Sequence, residues 1–211
     1  MKHIVDMSTW ERKESFDFFM DFFNPCINVT FSVNAGHAKA LAKKNGESFF
    51  LYYLYAVLKA VNDIKEFKFR IDKEGRVIYY DKINVLTPIK LPGMKTFATV
   101  CIQWHEDFPT FYKQAKEEIS KAESNTAFSA EKAVAEYDVI LLSAIPDLPF
   151  TSMTAAQCNK TNNYPLVTVG KINTDGIMPM SLCVFHGFVD GEHIAAFYKN
   201  VSENLSELLN R

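Results

Sequence analysis

Three residues near the C-terminus carry side chains that could do chemistry. In VFHGFVDGEH, His186, Asp190 and His193 follow the almost wholly apolar run MPMSLCVF. Imidazole has the ordinary pKa nearest working pH, so histidine is the usual general base for taking a proton from a hydroxyl. Such a base must be held in one tautomer and one direction. A buried strand ending at His186 would aim the ring, and the turn GFVDG would fix its backbone. Asp190 is placed to anchor that turn, and Gly191 allows a tight reversal into the next helix. Read alone, H-x-x-x-D-G fits a hydrogen-bonded core histidine as well as a working base. His186, Asp190 and His193 are also metal-ligand types. No second ligand cluster lies elsewhere in the chain, which weighs against a metal centre.

The elements that must position these residues are legible from periodicity. TWERKESFDFFMDF predicts a helix, with Phe16, Phe19 and Phe23 at helical spacing and Thr9 as its cap. INVTFSVN alternates as a strand. GHAKALAKKNG predicts a helix ended by Gly46, and SFFLYYLYAVLKAVNDI a long apolar helix at the centre of the fold. FKFRIDKEGRVIYYDKINV reads as a hairpin turning at DKEG. KTFATVCIQWH predicts a strand. DFPTFYKQAKEEISKA is amphipathic, with Phe108, Phe111, Ala115 and Ile119 on one face. YDVILLSAIP is a buried strand with Ser143 at its end. VTVGKINTDGIMPMSLCVFH is a second hairpin turning at NTDG, and EHIAAFYKNVSENLSELL a final helix. The mixture implies an α+β fold, with a mixed, largely antiparallel sheet covered by helices.

Composition bounds the rest. The chain has 211 residues, 48% of them hydrophobic, enough for one domain with a sizeable core over 1–211. The polar segment 121–138 reads as a surface excursion within that domain. A net charge of -2 argues against nucleic acid as a partner. No apolar run reaches the length of a membrane span, and the charged N-terminus does not read as a signal peptide, so a cytoplasmic protein is expected. Cys26, Cys101, Cys158 and Cys183 are scattered without a CxxC pair, as expected for reduced, isolated thiols.

Several segments together narrow the reading. W-E-R-K-E-S-F near the N-terminus, L-S-A-I-P in the middle, N-N-Y-P-L-V-T-V-G-K and F-H-G-F-V-D-G follow in order. Together they resemble the chloramphenicol acetyltransferase family over nearly the whole chain. H-x-x-x-D-G alone is shared with the acyltransferase core of 2-oxo acid dehydrogenase complexes; the tryptophan-x-arginine opening and Ser-Ala-x-Pro make the likeness more specific. The chain has no lipoyl-domain or linker extension, which disfavours that relative.

The resemblance implies acetyl transfer from acetyl-CoA, a co-substrate, to a hydroxyl of a small molecule, with chloramphenicol as the leading acceptor. It implies no metal and no covalent acyl-enzyme. His186 matches the general base, and Asp190 and Arg12 an ion pair behind it. Ser143 matches the oxyanion donor, and Thr168 a threonine that holds the intermediate through water. Lys171 matches a lysine near the coenzyme phosphate. The family is trimeric, with each site between two subunits, the histidine coming from one and most of the acceptor pocket from the other. The chain also departs from the pattern. Phe185 replaces the first of two adjacent histidines, Phe19 a pocket tyrosine, Ile27 a pocket phenylalanine and Ser48 a lysine near the coenzyme phosphate. DLPFTSM replaces a tryptophan-containing stretch. An O-acyltransferase for another hydroxyl compound, or a non-catalytic binder of a small apolar ligand, therefore stands as the alternative.

Overall fold

A computed structural model of the chain describes residues 1–90, 95, 97–124, 138–154, 156 and 163–210. Most of the polar segment 121–138, along with Cys158, lies outside the described residues.

A six-stranded sheet forms the frame. Its strands are β2 (Cys26–Asn34), β5 (Asn84–Ile89), β6 (Ala98–Ile102), β7 (Val139–Ala144), β8 (Leu166–Val169) and β9 (Ile177–Phe185). They lie in the order β2-β9-β8-β7-β5-β6, with β5–β7 and β7–β8 parallel and the other pairs antiparallel. A small antiparallel sheet, β1-β4-β3, is built from β1 (Lys2–Ile4), β3 (Phe69–Ile71) and β4 (Val77–Tyr80). The helices are α1 (Lys13–Met20), α2 (Gly36–Lys44), α3 (Phe49–Asp63), α4 (Phe108–Ser124) and α5 (Gly191–Glu207). The mixed, largely antiparallel sheet with helices is the fold class expected from the pattern.

Register divides the large sheet into two unlike faces, because side chains alternate along each strand. One face carries Val33, Met178, Met180, Leu182, Val167, Val169, Ile140, Leu142, Val85, Val100 and Ile102, all buried in one core with the helices. Helix α3 lies in that core, with Leu51, Leu54, Val57, Leu58 and Val61 almost without solvent contact. The other face carries hydroxyls. Ser143 lies opposite Thr168, Thr168 opposite Ser181, and Ser181 opposite Thr30, a row across four strands. The segment after β7 crosses this face. Met153 gives its carbonyl to Asn28 and Ser181, and the Phe150 ring packs where a Cβ on Gly170 would have to sit.

The sequence-based elements differ from these in three places. Helix α1 begins at Lys13, and Thr9 closes a turn with Asp6 instead of capping it. In the first hairpin β3 and β4 pair around Gly75, which has φ +77°, but Ile83 onward leaves for the large sheet as β5. Strand β1, only three residues long, shows no period to detect. Cys26, Cys101 and Cys183 are thiols, with Cys183 buried. Among the described residues no helix is long and apolar enough to cross a membrane.

Candidate active site

His186 follows the last residue of β9. Its amide donates to the Pro25 carbonyl at 2.8 Å, which carries the β2–β9 pairing one step further. The chain then turns, with the amides of Phe188 and Val189 both donating to the Phe185 carbonyl at 3.1 Å. Gly187 is required here: a Cβ would lie 2.3 Å from the Phe185 ring. Phe188 anchors the turn from below, stacked on Phe16 and packed against Trp10, Phe69 and Phe185. The apolar residues of GFVDG thus pin the turn to the core.

The His186 ring is held on two sides. Its Nδ1 lies 3.0 Å from the Val189 carbonyl. A carbonyl can only accept, so the ring hydrogen sits on Nδ1 and the lone pair on Nε2. Phe19 lies flat on the imidazole, with ring centroids 4.0 Å apart and planes 18° from parallel. A groove of about 820 Å³ beside the ring is lined by Ile27, Val29 and Phe31 of β2 and by Ile194, Ala195 and Tyr198 of α5. Phe19 and Ile27 therefore stand beside His186 within one chain.

Asp190 and Arg12, 178 positions apart, meet in a bidentate pair, Nη1 to Oδ2 at 2.7 Å and Nη2 to Oδ1 at 3.0 Å. The Arg12 hydrogen bond holds the Asp190 carboxyl below its ordinary value of 3.8, and His193 and His186 add to the effect. The pair is only partly buried: the side chains of Arg12 and Asp190 are 15% and 36% exposed. Asp190 Oδ1 also lies 3.4 Å from His186 Nδ1, so the pair supports the ring as well as the turn. Breaking it should cost about 1–3 kcal/mol, the scale of a charge-assisted hydrogen bond, and less than loss of a fully buried pair. Denaturant unfolding of Asp190→Asn, Arg12→Ala and the double variant is expected to show strongly non-additive losses. A carboxyl held below its unfolded value stabilises above that value, and the contribution is lost as pH falls through the folded one. Wild type should therefore lose stability on acidification below about pH 4 more steeply than Asp190→Asn. Additive losses in the cycle would show that the two residues do not interact.

Ser143 and Thr168 lie elsewhere. They are neighbours on the hydroxyl-bearing face, where Thr168 is fully buried and its Oγ1 has no hydrogen-bond partner among the described residues. Strand β8 separates β7 from β9, and His186 lies five positions beyond Ser181. Strand spacing and rise put Ser143 roughly 19 Å from His186 within the chain. A cleft of about 270 Å³ opens at the carboxyl ends of β7 and β8, the usual place for a ligand on parallel strands. Ala144, Gly170, Lys171, Lys39, Phe50 and Tyr53 line it. Ser48 precedes α3 at this end; its amide donates to the Tyr112 hydroxyl at 2.9 Å and its side chain caps nothing. Among the described residues the ligand-type atoms that cluster are those of Asp190, Glu192 and His193, within 4.8 Å of one another, with both Asp190 oxygens already on Arg12.

The sequence profile of the chloramphenicol acetyltransferases matches residues 2–202. The chain belongs to the chloramphenicol acetyltransferase family. A chloramphenicol acetyltransferase of Proteus mirabilis is 27% identical over 208 residues, covering 97% of this chain and 94% of that one. One from Staphylococcus aureus is 24% identical over 212 residues, covering 98% and 97%. A solved structure titled chloramphenicol acetyltransferase is 46% identical, covers 97% of this chain and all of that one, and superposes with a TM-score of 0.91. A probable dihydrolipoamide acetyltransferase of Listeria monocytogenes, 14% identical with a TM-score of 0.64, shares the fold alone. The sequence reading missed the Val189 carbonyl and the Phe188 anchor. Neither carries a signal in residue type, since one acts through its backbone and the other looks like any core phenylalanine.

Proposed function

We propose that the protein transfers the acetyl group of acetyl-CoA to a hydroxyl of chloramphenicol, inactivating the antibiotic in the cytoplasm and so conferring resistance. The observation that carries this reading is the 3.0 Å approach of His186 Nδ1 to the Val189 carbonyl. With Nδ1–H committed to Val189, the free Nε2 lone pair can take the acceptor hydroxyl proton as the oxygen attacks the thioester carbon. Arg12 and Asp190 keep the turn and the ring in place. Ser143 donates to the oxyanion that develops on the thioester carbonyl, and the buried Thr168 hydroxyl beside it suits a bridging water. The intermediate then collapses: the C–S bond breaks, and the proton on Nε2 passes to the departing thiolate. No acyl-enzyme is needed when both substrates are bound together.

Acetyl-CoA would lie along the cleft at the ends of β7 and β8, with Lys171 and Lys39 supplying positive charge for its phosphates. Ser48 in place of a lysine weakens that attraction. The distance between His186 and Ser143 supports a homotrimer in which each site joins the histidine of one copy to the serine of the next. Phe19 and Ile27, replacing a tyrosine and a phenylalanine of the family pattern, favour one further reading, transfer to another small apolar alcohol. Thiol release from acetyl-CoA, followed with and without chloramphenicol, tests the proposal. Chloramphenicol-dependent release is the expected result. Release only with other alcohols would support the second reading, and no release with any acceptor would leave a ligand-binding protein.

A further inference from the structure

His193 lines neither the groove beside His186 nor the cleft at the ends of β7 and β8. It is the third residue of α5, and its side chain is only 15% exposed. Its Nδ1 accepts a hydrogen bond from the Asp190 amide at 3.0 Å and, with the Asp190 side chain, completes a capping box at the start of the helix. Glutamate or glutamine usually fills this position, reaching back with a side-chain oxygen. An imidazole can do the same only with a bare Nδ1, so its hydrogen must sit on Nε2. Nε2 points toward the Glu66 carboxylate at 3.6 Å, on the single turn Lys65–Lys68 between α3 and β3. The other charged groups facing the ring are Glu192, 3.8 Å away and 81% exposed, and Asp190 with its partner Arg12. The two histidines of the motif therefore take opposite tautomers, and both bonds that fix them end at Val189 or Asp190.

We propose that His193 is a positioning residue for acetyl transfer: its neutral ring, oriented by Glu66, holds the Asp190 backbone and through it aims His186. The inference rests on the acetyl-transfer reading above. Arg12 holds the Asp190 carboxylate and His193 holds its amide, so the residue is gripped at both ends. Protonating Nδ1 would set a hydrogen against the Asp190 N–H and remove one of the two grips. Gly191, next in the chain, is free to move once that grip is lost.

Two measurements test this. Nitrogen NMR of protein labelled with ¹⁵N-histidine should show His193 with Nδ1 bare and Nε2 protonated, and His186 with the reverse. A His193 ring protonated at Nδ1 in the resting protein near neutral pH would overturn the proposal, whatever the protein's activity. In kinetics, His193→Ala should lower kcat roughly tenfold to a hundredfold, the scale expected when a catalytic group is slightly misplaced, with KM for both substrates nearly unchanged. His193→Gln, which returns an acceptor oxygen, should recover most of that loss. Full kcat in His193→Ala, or equal losses in the alanine and glutamine variants, would overturn the positioning role. If the alanine variant does not fold, the glutamine variant and the spectrum decide. Wild-type protein that releases no thiol would instead sink the acetyl-transfer reading and leave the tautomer result standing.

Discussion

His186→Ala is expected to reduce acetyl transfer by about 10²–10⁴-fold, or roughly 3–5.5 kcal/mol of transition-state stabilisation, and still to give a folded protein. The size follows from the role: among the described residues lining the groove, no other imidazole and no carboxylate could take the acceptor proton near neutral pH. The folding expectation follows from the packing. The ring is 29% exposed, and its partners are one backbone carbonyl, the face of Phe19 and, at 3.4 Å, an Asp190 oxygen that Arg12 already holds. The turn itself is held by the Phe185 carbonyl, the Phe188 aromatic cluster and the Arg12–Asp190 pair, none of which needs the imidazole. The Val189 carbonyl, left without its partner, can be met by water at this partly open position. Circular dichroism and the melting temperature check the fold, and the steady-state rate checks the chemistry. Near-normal turnover on any accepted substrate would rule out the base role.

What the sequence could convey, and what it could not, divides along physical lines. Long elements with a clear period were readable: α3 and α5 bury the residues their spacing marked, and β9 ends where the apolar run ends. His186 was legible because a titratable group at the end of such a run conflicts with ordinary burial. Arg12 was not legible from its surroundings, since a lone arginine on a first helix reads as a solvated charge. Its partner lies 178 positions away, and only the fold joins them. The same holds for the turn. Its tautomer-setting group is a backbone carbonyl, which every residue possesses. The first hairpin, read as running through Val85, stops at Tyr80, because Ile83 and Val85 alternate as well in a continued β4 as in a separate strand beside β7. Pairing partners in a parallel sheet come from distant segments, and alternation alone does not identify them.

Ser143→Ala should lower kcat by about 10²–10³-fold and leave the Michaelis constant for chloramphenicol nearly unchanged. An oxyanion donor acts when charge develops on the thioester carbonyl, so its loss appears in turnover and not in acceptor binding. A change confined to the Michaelis constant would make Ser143 a binding residue. The same variant also tests how the site is assembled. Ser143 and His186 stand too far apart in one chain to touch one reacting carbon, but neighbouring copies could bring them together. If each site in a cyclic trimer takes the histidine of one copy and the serine of the next, variants lacking different members can complement each other. Denature Ser143→Ala and His186→Ala together in equal amounts and let them refold. About three in four trimers would then be mixed, and by symmetry each mixed trimer has one interface of three where an intact histidine meets an intact serine. Activity should recover to about a quarter of wild type, against at most about one per cent for either variant alone. Recovery on that scale requires a shared site. If both groups act within one chain, mixing restores nothing, because no chain in the mixture carries both.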